Sequence, residues 1–103
     1  MKPRRKRYTI TEKLKVIYRK TNDGEVVAFM PELPANYGKI VCYAHVGQHS
    51  EATLEYYQST KSAKPAEYMA LHTELKSIYN DVELDVKRRM YYTDLTENWR
   101  ENK

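Results

Sequence analysis

A chain of 103 residues with 41% hydrophobic, 31% charged and 12% aromatic side chains has the balance of one packed core, which excludes a disordered chain and a multidomain one. The longest unbroken apolar run, residues 26–30, is far short of the ~20 residues of a membrane helix, and the opening basic residues lack the apolar stretch that would make them a secretory signal. The single cysteine, Cys42, excludes an internal disulfide, so a cytoplasmic, reducing setting without membrane contact is expected for this chain of net charge +4.

The charge is concentrated at the start. Lys2, Arg4, Arg5, Lys6 and Arg7 lie within the first seven residues, and the remainder holds 13 basic against 14 acidic side chains. Residues 1–8 therefore read as a basic flexible arm. Such a run is either a solvated tail or a phosphate-docking segment that gains affinity by counterion release. Residues 9–92 read as a single α+β domain and residues 93–103 as a polar C-terminal tail or short helix, with Leu95 and Trp99 one turn apart.

Residues 12–20 alternate: Leu14, Val16 and Tyr18 face one way, Lys13, Lys15 and Arg19 the other, with Ile17. This period of two predicts a half-buried strand. Asn22-Asp23-Gly24 is a turn signal. Residues 25–30 are apolar on both faces and predict a central strand, which Pro31 and Pro34 end. Residues 39–46 predict a third strand, with Ile40, Cys42, Ala44 and Val46 on one face and Val41, Tyr43 and His45 on the other. Ser50 then reads as the N-cap of a short helix reaching about Ser59. Pro65 opens a second helix with Tyr68, Leu71, Leu75 and Ile78 at helical spacing. Residues 82–90 alternate again and predict the last strand.

The expected order is β-β-β-α-α-β: a four-stranded mixed sheet, order 3-2-1-4, with helices on one face. The last strand returns through a helical crossover and so pairs in parallel with the first. The other face, with Lys13, Lys15, Arg19, Glu83, Asp85 and Lys87, is expected to meet solvent or a partner.

The stretch from Val16 to about Ser62 resembles the HicB antitoxin family, through Asn22-Asp23-Gly24, then Val26-Val27-Ala28-Phe29-Met30-Pro31-Glu32-Leu33-Pro34, then Gly47-Gln48-His49-Ser50-Glu51-Ala52. The resemblance implies a partial RNase H-like fold and a protein-binding habit. A weaker likeness to small phage and mobile-element proteins adds a setting.

Enzymatic chemistry finds little footing. Cys42, His45 and His49 are close in sequence, but strand residues three apart point to opposite faces, so neither a metal centre nor a Cys/His nucleophile is expected. A two-metal nuclease site would need a carboxylate on the first strand beside Glu55 and Asp85, and that strand offers none. The reading is a non-enzymatic binding protein, without metal or cofactor, acting through protein–protein contacts. Ten tyrosines suggest a binding surface, because tyrosine offers rigid area with a hydroxyl. Tyr43, His45, Tyr56, Tyr91 and Tyr92 are the candidates. An edge-strand homodimer is a further expectation. The alternative is a nucleic-acid-binding protein using Arg4, Arg5, Lys6 and Arg7 with the patch Lys87, Arg88 and Arg89.

Overall fold

The computed structural model describes residues 13–44, 48–91 and 93–96. In chain order the elements are β1 (Lys13–Lys20), β2 (Val26–Met30), β3 (Lys39–Ala44), β4 (Gln48–Thr53), α1 (Leu54–Gln58), β5 (Lys61–Ser62), α2 (Pro65–Ile78) and β6 (Glu83–Lys87). Residues 93–96 add one helical turn. Among the described residues no helix is long and apolar enough to cross a membrane.

The alternation in β1 does what its period requires. Leu14, Val16 and Tyr18 are buried on one face and Ile17 on the other. β2 pairs antiparallel with β1 through Ile17↔Phe29, and β3 with β2 through Phe29↔Cys42. The β1–β2 connection is closed by Thr21 N–H donating to Glu25 O at 2.8 Å. Gly24 sits there at φ 88°, a conformation that strains any residue with a Cβ. β6 lies parallel to β1, with Leu14↔Leu84 and Val16↔Val86. The strands expected as 3-2-1-4 therefore stand side by side in that order.

The sheet is nevertheless six-stranded, not four-stranded. β4 pairs with β3 along six residues, from Lys39↔Thr53 to Ala44↔Gln48. β5 pairs with the end of β1 at Arg19 and Lys20, beyond the reach of β6. The helix expected from Ser50 is thus a strand over its first four residues. The cap falls to Thr53, whose Oγ1 accepts from Tyr56 N–H at 3.1 Å. Cross-strand pairing satisfies every second backbone group of this segment, whereas a helix begun at Ser50 would leave its first N–H groups to one hydroxyl.

Both faces are covered, which corrects the expectation of helices on one side. α2 lies over Leu14, Val16, Tyr18, Ala28, Met30 and Tyr43. On the opposite face α1 supplies Tyr57, and Met90 and Leu95 close over Ile17, Phe29 and Ile40. The expected solvent face is only partly so. The Arg19 guanidinium lies over the Tyr57 ring at 4.6 Å, and Lys15 Nζ binds the Asp94 carboxylate at 3.1 Å. The Arg19 guanidinium also donates to Thr60 Oγ1 at 2.9 Å. Burial alone would pull the Lys15 ammonium down, but Asp94, Glu32 and Asp85 together outweigh it and the net shift is upward.

Candidate functional site

α2 buries only two leucines, Leu71 and Leu75. Polar tethers complete its hold on the sheet. Glu67 pairs with Lys20, Glu74 accepts from the Tyr43 hydroxyl, His72 Nδ1 lies 2.7 Å from Tyr18 Oη, and the Tyr79 hydroxyl lies 3.0 Å from His49 Nε2. This row holds α2 above β1 to β3. β6, the edge strand beyond β1, is left half-covered.

The opening between α2 and β6 is the candidate site. At the start of α2 it forms a groove of about 430 Å³ lined by Tyr18, Ala63, Pro65, Tyr68 and Val86, with Lys64, Lys87 and Arg88 on its rim. That volume is within the ~300–1,000 Å³ of ligand pockets. Tyr18 and Tyr68 stack with centroids 4.2 Å apart and rings 10° from parallel. The 61–64 segment is pinned to the sheet by Ala63 N–H donating to Tyr18 O at 3.1 Å. Val86 faces inward by the alternation of β6, yet α2 does not reach it, and it stays 39% exposed. Lys87 leans on Asp85 at 3.5 Å. Lys64 lies near enough to Glu67 for its charge to help hold that carboxylate low, and Arg88 makes no ion pair within 4.0 Å among the described residues.

The titratable groups beside the groove are set by burial. Burial, with Tyr68 alongside, pushes the Tyr18 phenol far above its ordinary range, so Tyr18 keeps its proton while it shares a hydrogen bond with His72 Nδ1. Burial, and then nearby Lys76, lowers the His72 pKa below its ordinary 6.5. The unfolded chain therefore binds the proton more readily. Stability from neutral His72 is complete above pH 6.5 and is lost as pH falls through the folded value. A His72→Gln variant is expected to flatten the fall in thermal midpoint between about pH 7 and pH 5; a fall of unchanged depth would count against this role. Glu67, held low by its hydrogen bond from Lys20, acts only in the carboxylate range, so the two effects separate on the pH axis.

The residues singled out in the sequence are scattered. Tyr43 is 1% exposed beneath α2 and so gives no surface to a partner, which corrects that expectation. Tyr56, 41% exposed, stands 6.2 Å from the Phe29 ring, and Tyr91, 51% exposed, lies under Lys15 Nζ at 5.9 Å. These two sit on the α1 side of the sheet, away from the groove. Lys87 and Arg88 are on the groove rim, and Arg89 is exposed just beyond. His45, Tyr92, Arg4, Arg5, Lys6 and Arg7 lie outside the described residues.

The thiol and imidazoles are separately engaged. Cys42 Sγ lies 3.3 Å from Ser50 Oγ, and burial raises its pKa, which disfavours the nucleophilic thiolate. His49 packs on Tyr43 across the sheet from it. Among the described residues no three His, Cys, Asp or Glu side chains converge as metal ligands. Tyr18, Tyr68, Lys64 and Val86 were not singled out in the sequence. The signal available was the short apolar stripe of α2, too narrow to cover a strand as apolar on its inner side as Val82, Leu84 and Val86. Comparison of the chain with protein-family models, curated proteins and solved structures gives no match.

Proposed function

We propose that the chain is a small non-enzymatic binding protein with a HicB-like, regulatory role, and that it holds an acidic segment of a partner protein in the groove between α2 and β6. The observation that carries this reading is an uncovered apolar floor beside a cationic rim. Val86, Ala63 and Pro65 suit an aliphatic or aromatic anchor from the partner. Lys64, Lys87 and Arg88 suit carboxylates flanking that anchor, with Arg88 able to bind one bidentately. The stacked Tyr18–Tyr68 pair stiffens the wall, so little side-chain entropy is lost on binding.

Nucleic acid is the second reading, favoured by the same three cations together with the basic residues of the arm. Phosphate contacts weaken steeply with salt, while an apolar anchor does not. Affinity capture from the native cell, before and after nuclease treatment, separates the two. Under the protein reading, capture survives nuclease and falls on the order of tenfold in Val86→Glu and in Lys64→Glu/Arg88→Glu. Capture abolished by nuclease, or undiminished in both variants, overturns it.

A further inference from the structure

We infer that β6 is a self-pairing edge through which two copies of this chain join into one continuous sheet. Among the described residues β6 is hydrogen-bonded to β1 alone, and no other described strand pairs with its outer backbone groups. The side chains along it are Glu83, Leu84, Asp85, Val86 and Lys87, followed by Arg88 and Arg89. This edge carries both signs, arranged to complement themselves.

The register follows from parity. Two antiparallel copies related by a twofold axis must place residues of the same face opposite each other. An axis at Asp85 sets Asp85 against its own copy and is disfavoured. An axis at Val86 sets Asp85 against the partner's Lys87, and Lys87 against the partner's Asp85. The strand ends at Lys87 and residues 88–89 form a bend, so this register pairs residues 85–87 of each copy. On the other face Val86 meets Val86 of the partner subunit. That contact covers part of the apolar side chain that α2 leaves open and continues the floor of the groove from one copy into the next. Lys87 already binds Asp85 within the chain at 3.5 Å, so the cross-strand pairing exchanges a neighbour on the same strand for one opposite. Cross-strand pairs are individually weak, and the dimer is accordingly expected between about 10 μM and 1 mM.

The test uses the full chain and sedimentation equilibrium over a concentration series. The wild type is expected to rise from the monomer mass of 12.3 kDa towards twice that value. Asp85→Lys and Lys87→Asp each replace both symmetry-related attractions by repulsions and are expected to weaken association on the order of tenfold. The exchange Asp85→Lys/Lys87→Asp restores the complement and is expected to return the constant to within about threefold of wild type. Val86→Lys, which sets a cation against itself on the axis, is a second variant whose fold does not depend on the Asp85–Lys87 pair; circular dichroism confirms folding for each. A wild type that stays monomeric throughout, single reversals that associate like wild type, or an exchange that remains as weak as the single reversals each overturn the inference. Val86 and Lys87 also belong to the proposed groove, so Asp85→Lys, which lies outside it, is the variant that separates self-association from partner capture.

Discussion

Leu75→Ala is expected to lower the unfolding free energy by about 2–5 kcal/mol, the range for truncating a fully buried leucine. Leu75 is wholly buried and is one of only two buried side chains on α2. The helix is fourteen residues long, too short to persist on its own in water. It forms because the sheet receives it. The polar tethers Glu67–Lys20, Glu74–Tyr43 and His72–Tyr18 fix its position, but each exchanges water contacts for protein contacts and adds little net energy. The apolar term therefore decides. Urea denaturation followed by far-ultraviolet circular dichroism should show one transition at lower midpoint with an unchanged slope, because a loosened α2 uncovers Leu14, Val16 and Met30 at once. Met69→Ala, on the exposed side of the same helix, should stay within about 0.5 kcal/mol of wild type. A loss below about 1 kcal/mol at Leu75 would mean that the helix does not rest where these contacts place it.

What the sequence made legible is the part governed by alternation. β1 and β6 each sort their side chains by a period of two, and Leu14 and Leu84, both expected to face inward, share a face in the parallel pairing. β4 was illegible because its only buried apolar residue is Ala52, too small to register as a stripe, while Ser50-Glu51 offers a helix start of ordinary quality. Tertiary pairing with β3 overrode that local preference. The second covered face was hidden for another reason. Lys15 and Arg19 read as solvent-facing charges, yet their charged ends meet Asp94 and Tyr57, which a one-dimensional pattern cannot bring near. Tyr43 shows the converse. Alternation placed it opposite Cys42 correctly, but nothing in the pattern said that α2 would seal that side. The groove was invisible for the same reason: Val86 alternates like a core residue, and only the width of the helix above decides that it is left open.

Substitutions at Tyr57 are expected to separate two contributions on the α1 side. Tyr57→Ala should cost about 3–5 kcal/mol, as for other large buried aromatics. Tyr57→Phe should cost about 1–3 kcal/mol, because it leaves a buried donor without its acceptor. The donor is Met90 N–H, which reaches the Tyr57 hydroxyl at 3.2 Å. The ring meets Phe29 edge-on at 5.1 Å and carries the Arg19 guanidinium at 4.6 Å; Phe retains both contacts, so the smaller loss isolates the hydroxyl. α1 has five residues and the cap at Thr53, so Tyr57 is its chief anchor to the sheet. The chain after β6 is held to the same ring through Met90. Tyr57→Phe should therefore raise amide exchange at Met90 well above that at Ile17 or Phe29, whose ladder bonds are untouched. Tyr57→Ala should release both α1 and the 90–96 segment together and expose Ile17 and Phe29. Equal losses for Phe and Ala would assign the whole effect to the hydroxyl and leave the ring stack without weight. A harmless Phe substitution would instead mean that Met90 N–H finds another acceptor.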